Sequence, residues 1–307
     1  MRRGGLLLAG AALAGGYLAA RARRRSAGSD SVLEEHIAPD TPGHRGGSGT
    51  PILLLHGISV TWRSWKPVLP LLERHHEVIA PTLLGHSGAA PLGDDVTPGI
   101  DALVDGVVAE LDSLGLDKVH VVGNSLGGWL ALELARRGRA RSVVAFSPAG
   151  AARTNTRLAA LITGIRLGIE MMEALGPRVD ALARTPRGRR WLVAAQVAHP
   201  ERFDPAEVAA DLRALRNAPV LRPLLRVLAD HQFQPLPDPG CPVRLVWPRK
   251  DRIIPFKHFG EPMVRRVPNA ELIRLDDVGH VPMSDDPETV TRLILEVTDK
   301  VDSQATV

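Results

Sequence analysis

The sequence predicts an α/β protein: a mostly parallel central sheet flanked by helices, interrupted by an inserted all-helical cap. Three features of the 307-residue chain carry that expectation. Short β-branched apolar runs alternate with helix-period segments, the signature of a parallel sheet. The runs are continuously apolar, as in Ile52-Leu53-Leu54-Leu55, which marks strands covered on both faces. Ala151 to Asp238 then shows helical spacing with no convincing strand before strand signal returns at Cys241. The expected organisation is an anchor- or signal-like segment (1–25), a linker (26–49), a first core part (50–150), the cap (151–238) and a second core part (239–307).

Gly4 to Ala20 carries no charge and lies between Arg2-Arg3 and the cluster Arg21, Arg23, Arg24 and Arg25. As a helix at ~1.5 Å per residue it reaches ~25 Å, slightly short of a bilayer core unless the arginines snorkel. It reads as a membrane anchor, as a cleaved export signal or as an amphipathic or unstructured tail. As an anchor, its heavier C-terminal positive charge leaves the following domain in the cytoplasm. Export after signal cleavage is the alternative. Ser26 to Thr50 is rich in Gly, Ser, Pro and Asp and reads as linker, with one candidate edge strand around Val32 to Ile37.

Strand expectations follow at Pro51–Leu55, Glu77–Pro81, Val119–Val122, Arg141–Ser147, Cys241–Trp247 and Ala270–Leu275. Core helices are expected over Lys66–Arg74, Pro98–Leu114, Trp129–Ala135, Phe256–Val267 and Pro287–Val301. The second of these carries Ile100, Leu103, Val104, Val107, Val108, Leu111 and Leu114 at helical period. Cap helices are expected at Arg157–Leu175, Val179–Leu182, Trp191–Ala198, Pro205–Arg216 and Pro219–Phe233. His75-His76 reads as a polar surface turn.

The formal net charge is +4, and the N-terminal arginines supply much of that excess. With the rest near neutral and no basic patch interleaved with aromatics, nucleic acid is not an expected partner. Cys241 is the single cysteine, so no intrachain disulfide can form. No zinc-ligand spacing, phosphate loop or dinucleotide glycine motif is present, so no metal or cofactor is expected.

The chemistry-bearing stretch is Val119 to Leu134. An apolar run crosses Gly123-Asn124-Ser125-Leu126-Gly127-Gly128 into strong helix formers. A strand–turn–helix with serine at its apex, and glycine two residues either side, lifts the hydroxyl clear of the sheet toward the first helical amides. A serine needs a base, and the base an orienting acid. The loops after the last two strands offer Asp251 and then His280, each at the strand end where open parallel sheets bind ligands. Asp276, Asp277, Asp285 and Asp286 also crowd His280.

These pieces resemble the α/β-hydrolase fold over about Thr50 to Thr298. The matching motifs are His56-Gly57 with Trp62 and Trp65, Gly123 to Gly128, Asp251 with Pro255, and Gly279-His280. The resemblance implies a serine esterase or lipase-like enzyme with a helical cap. In it Ser125 attacks a carbonyl, His280 acts as base and then acid, and Asp251 fixes the imidazole. The backbone N–H groups of Ile58 and Leu126 would hold the oxyanion. Departures from the family pattern are Thr82 in place of Asp, Ser87 in place of Gly and Pro248 in place of Gly.

The expected activity is hydrolysis of a carboxylic ester with a hydrophobic or lipid-like acyl group, through an acyl-enzyme. The expected partner is thus a small-molecule ester, with membrane association through residues 4–20 where that segment is an anchor. A C–C bond hydrolase of ring-fission products is the rival, because its elbow resembles Gly-Asn-Ser-x-Gly-Gly. A non-catalytic binding protein on the same fold is the second. His56 reads as a brace for the oxyanion loop. Trp62 and Trp65 either pack the core or wall the acyl pocket, Met171 and Met172 read as core filler, and His86, His199, His231 and His258 read as ordinary polar positions.

Overall fold

The computed structural model describes residues 42–93 and 95–305. Seven strands form one sheet: β1 Gly43–Gly47, β2 Thr50–Leu55, β3 His76–Pro81, β4 Val119–Asn124, β5 Ala140–Phe146, β6 Val243–Pro248 and β7 Glu271–Leu275. Their spatial order is β1-β3-β2-β4-β5-β6-β7, and only β1 runs antiparallel to its neighbour. Alternate side chains of one strand enter opposite layers, as strand geometry requires. Leu53 and Leu55 join the apolar layer formed with α2 (Ile100–Ser113) and α3 (Leu126–Arg136). Ile52 and Leu54 join the layer formed with α1 (Leu69–Leu72) and the C-terminal helix Pro287–Ala305.

The cap holds α4 Asn155–Leu175, α5 Arg178–Arg184, α6 Pro186–Val193, α7 Pro205–Arg216 and α8 Leu221–Leu228. Thr154, Thr185 and Asp204 each accept a backbone N–H at a helix start, satisfying amides that the helix leaves orphaned. Then come α9 Gly260–Arg266, α10 Pro282–Asp285 and α11 Pro287–Ala305.

Several expectations are corrected. The linker ends earlier than residue 49, because Gly43–Gly47 is an edge strand paired with β3. It has no apolar alternation to announce it; backbone pairing alone makes it, and the bare Gly47 Cα sits where a Cβ would come within 2.3 Å of the His76 carbonyl. The helix expected at Trp191–Ala198 starts at Pro186, where the Thr185 cap and a proline at the first helical position outweigh the later apolar spacing. The helix expected over Lys66–Arg74 shrinks to Leu69–Leu72, preceded by a 3₁₀ turn at Trp62–Trp65. The anchor-like segment and the strand expected at Val32–Ile37 lie outside the described residues. Among the described residues no helix is long and apolar enough to cross a membrane.

His76 is not in a surface turn. It is buried at the start of β3, its Nδ1 donating to Thr50 O (2.9 Å) and its Nε2 2.9 Å from Thr298 Oγ1 on α11. Beside it, Ser142 Oγ donates to His120 Nδ1 (2.8 Å), and His120 Nε2 donates to Asp302 Oδ1 (3.0 Å). This polar seam fastens α11 to the N-terminal edge of the sheet.

Burial lowers the His120 pKa, joined by the nearby His76 and Arg141, and Asp302 only partly offsets this. A histidine depressed in the folded state stabilises fully above its unfolded pKa and loses that contribution as pH falls below about 6.5. The urea midpoint should therefore drop between about pH 7.5 and about pH 5.5, and drop less in His120→Gln. Equal drops in the two proteins would remove His120 as the cause.

Candidate active site

Ser125 sits between the last residue of β4 and the first of α3, at φ 57° and ψ −113°. A non-glycine residue rarely adopts this conformation, which costs on the order of 1–3 kcal/mol. Its surroundings impose it. A Cβ on Gly123 would lie 2.1 Å from Gly127 O, and one on Gly127 would lie 2.0 Å from Leu55 O. Only glycine allows the strand and the helix start to cross this closely. Ser125 N donates to Phe146 O (3.0 Å), Gly127 N to His56 O (3.1 Å) and Ala149 N to Ser125 O (2.9 Å). These bonds lock the turn and leave the serine half-buried. The N–H groups of Leu126 and Ile58 have no hydrogen-bond partner among the described residues.

The parallel pairing of β6 with β7 brings their C-terminal loops side by side. There His280 Nδ1 donates to Asp251 Oδ2 at 2.8 Å, with both residues buried. Asp251 Oδ1 accepts from the amides of Ile253 (2.9 Å) and Ile254 (2.8 Å). Burial alone would raise the Asp251 pKa, but the His280 imidazole, the Ile254 amide and the nearby Ser147 hydroxyl prevail and hold it below the usual carboxylate value. Ser147 Oγ itself is buried with no partner inside hydrogen-bond geometry. Pro248 does not disturb this turn, since its carbonyl still accepts the Asp251 amide (3.4 Å). The rival carboxylates are engaged elsewhere: Asp276 with Arg249, Asp277 with Lys250 and His199, and Asp286 with the Thr289 amide.

The link between Ser125 Oγ and His280 Nε2 is not closed by a hydrogen bond. Such contacts commonly tighten only once substrate is bound. What joins the two sides is Asn124, whose Nδ2 donates to Phe146 O (3.2 Å) and to His280 O (2.9 Å). The residue next to the apex serine thus carries the backbone of the histidine.

The loop bearing Ile58 is held by two buried histidines. His56 Nδ1 donates to Gly57 O (2.8 Å) and its Nε2 accepts the Leu83 amide (2.9 Å), which fixes a neutral tautomer. Burial, reinforced by His86, lowers its pKa well below the ordinary value. His86 is not an ordinary polar position: it is buried, and its Nε2 donates to Ile58 O (3.0 Å). Its signal in the sequence was its place on the loop after β3, at the same sheet edge as His56. Trp62 and Trp65 lie in the core with α1 and α11, Trp65 fully buried and Trp62 stacked on His44. Both take part in core packing.

Three further residues hold the cap in ways that spacing and type did not announce, although Asp285 crowds His280 in the sequence. Asp285 is buried and accepts the amides of Gly279 (2.7 Å), Ala198 (2.9 Å) and His199 (2.8 Å). Val281 N donates to Gln196 O (3.0 Å), and Arg252 Nη1 donates to Ala194 O (2.6 Å). The cap strap Ala194–His199 therefore holds the loops of both Asp251 and His280. Residues 52–293 match the alpha/beta hydrolase family model. The chain belongs to the α/β-hydrolase family, and it is a hydrolase enzyme.

It is 35% identical over 202 residues to the epoxide hydrolase EphH of Mycobacterium tuberculosis, covering 62% of this chain and 91% of that one. It is 32% identical over 257 residues to a pimeloyl-[acyl-carrier protein] methyl ester esterase of Aromatoleum aromaticum, covering 80% and 97%. It is 39% identical over 97 residues to a 2-hydroxy-6-oxo-2,4-heptadienoate hydrolase of Pseudomonas putida, covering 31% of this chain and about a third (35%) of that one.

Replacing Asp285 with alanine leaves three amides without their acceptor, each costing about 1–3 kcal/mol where buried. Urea unfolding of Asp285→Ala should show a loss of about 2–4 kcal/mol, with Asp285→Asn losing less because it retains one acceptor oxygen. A loss under about 0.5 kcal/mol would mean that the strap is not held this way.

Proposed function

We propose that this α/β-hydrolase cleaves a carboxylic ester with a hydrophobic acyl group through an acyl-enzyme. The observation that carries the reading is the Asp251–His280 hydrogen bond beside a serine held at a strained strand–helix apex. Ser125 Oγ attacks the ester carbonyl as His280 Nε2 takes its proton. The tetrahedral oxyanion is received by the unpartnered amides of Leu126 and Ile58. His280 then protonates the departing alkoxide. Water, deprotonated by the same imidazole, releases the acid. Asp251 keeps the Nδ1 proton in place and stabilises the imidazolium.

The apex serine also decides against epoxide opening by a covalent route. Attack of an alcohol on an epoxide carbon gives an ether, which water cannot cleave under these conditions, so the enzyme would not turn over. The 2-hydroxy-6-oxo-2,4-heptadienoate hydrolase relative, together with the Gly123–Gly128 sequence, favours a second reading, C–C bond hydrolysis of a vinylogous diketone. For residues 4–20 we propose a membrane tether with the hydrolase domain cytoplasmic, supported by the flanking arginines. Recovery of the full chain only in the soluble fraction would exclude a tether.

Turnover of p-nitrophenyl esters of graded chain length should rise toward the longer acyl groups. Ser125→Ala should lower it by at least about 10³-fold and Asp251→Asn by about 10³–10⁴-fold. Equal rates in Ser125→Ala would end the assignment. Turnover of a ring-fission dienoate with no ester activity would select the second reading. His86→Ala should lower kcat about ten-fold with little change in KM, because it aims an oxyanion donor without touching substrate. An unchanged kcat would show that the Ile58 loop needs no brace.

A further inference from the structure

The cap carries a cationic helix face with an exposed aromatic residue that the proposed chemistry does not use. Between Asp180 and Glu201 the chain has no acidic residue but four arginines, Arg184, Arg187, Arg189 and Arg190. Arg187, Arg190 and Trp191 stand three and four residues apart on α6, which places them on one helix face. All three are exposed, and Trp191 is 47% exposed, whereas Trp62, Trp65, Trp129 and Trp247 are buried. The opposite side of α6 buries Gly188 and Val193, and a Cβ on Gly188 would meet Leu182 O at 2.0 Å, so the helix is clamped against α5.

On and around α6, Arg213 pairs with Asp180, Arg222 with Glu173, and Arg189 donates to the carbonyls of Ala183 and Arg184. No ion pair engages Arg187 or Arg190 among the described residues. Two guanidinium groups on the same helix face as an exposed indole match a bilayer interface, where cations meet anionic headgroups and Trp lies at the headgroup level.

We propose that the Arg187–Arg190–Trp191 face of α6 docks on an anionic lipid surface. Charge complementarity supports it, and an exposed indole beside the arginines suits a lipid interface better than an acidic protein. The uncharged run Gly4–Ala20 gives the same chain a second apolar unit bordered by arginines. The docking helix leads directly into the Ala194–His199 strap, so the bilayer would lie beside the segment that holds the Asp251 and His280 loops. This docking does not rest on the ester reading, because its readout is independent of turnover.

The test uses the full-length chain with vesicles of phosphatidylcholine and phosphatidylglycerol, about 3:1, carrying brominated acyl chains. Emission from Trp191 should shift to the blue and be quenched, and Trp191→Phe should remove that change. Arg187→Gln and Arg190→Gln should each lower the ratio of quenched to unquenched Trp191 about five-fold, or about 25-fold together, while turnover of a soluble ester stays at the parent level. Equal quenching on pure phosphatidylcholine would overturn the anionic recognition. A chain that floats with the vesicles while Trp191 stays unquenched would overturn the docking, leaving membrane binding to residues 4–20 and this face to another partner, such as an acidic protein.

Discussion

The backbone crossing at Ser125 is the constraint on which the site depends. β4 and the first turn of α3 approach so closely that Gly123 has no room for a single carbon, and Gly127 lies equally tight against the end of β2 at Leu55. Three consequences follow from that one contact. The serine is forced into a left-handed conformation that it would not choose alone. The end of β2 is drawn against the start of α3, where the Gly127 amide meets His56 O. The loop after β2 is thereby placed beside the helix start, so that two unpartnered amides, on Ile58 and Leu126, flank the same apex. The helix start adds a favourable field for negative charge there.

The partners of the serine come from far along the chain, and a parallel sheet is what assembles them. Adjacent parallel strands end at the same edge, so neighbouring β6 and β7 deliver Asp251 and His280 side by side. Two polar devices then fix that pair relative to the rest. Asn124 spans from the elbow to the His280 carbonyl, and Asp285 gathers the amides of the His280 loop and of the cap strap onto one carboxylate. A shift of the strap would have to break these bonds, together with those from Val281 and Arg252. Cap position and imidazole position are therefore mechanically linked.

Strand and helix order, the helical cap, the strand–turn–helix at Ser125 and the meeting of Asp251 with His280 were legible because each rests on local chemistry: apolar period, glycine placement, and charged side chains at strand ends. Edge strand β1 was not, because Gly-His-Arg-Gly-Gly pairs through its backbone and has no apolar face to betray it. The start of α6 was missed because apolar spacing pointed to Trp191 while the Thr185 cap and Pro186 decided the matter. The burial of His76 and His86 and the anchoring role of Asp285 escaped for another reason. Whether a polar side chain is buried depends on what folds over it, and Thr298 lies 222 residues from His76. No window of sequence contains that fact.

Among the described residues a second Ser–His–Asp array lies apart from the first, and their contrast shows why residue types alone do not make a site. Ser142, His120 and Asp302 are joined by bonds of 2.8 and 3.0 Å, a fully closed relay, whereas the Ser125–His280 link is open. Yet Ser142 lies within a strand, 1% exposed, with its backbone committed to the sheet. Its hydroxyl is buried and tied through His120 to Asp302 on α11. Its closed relay is a fastening, with each polar group satisfied by another. The array at Ser125 has the opposite character: a serine that is only half-buried, two amides without acceptors and an imidazole with its outer nitrogen free among the described residues. Such unmet hydrogen-bonding capacity at a strand end costs stability, and it is what a developing oxyanion and a transferred proton would need.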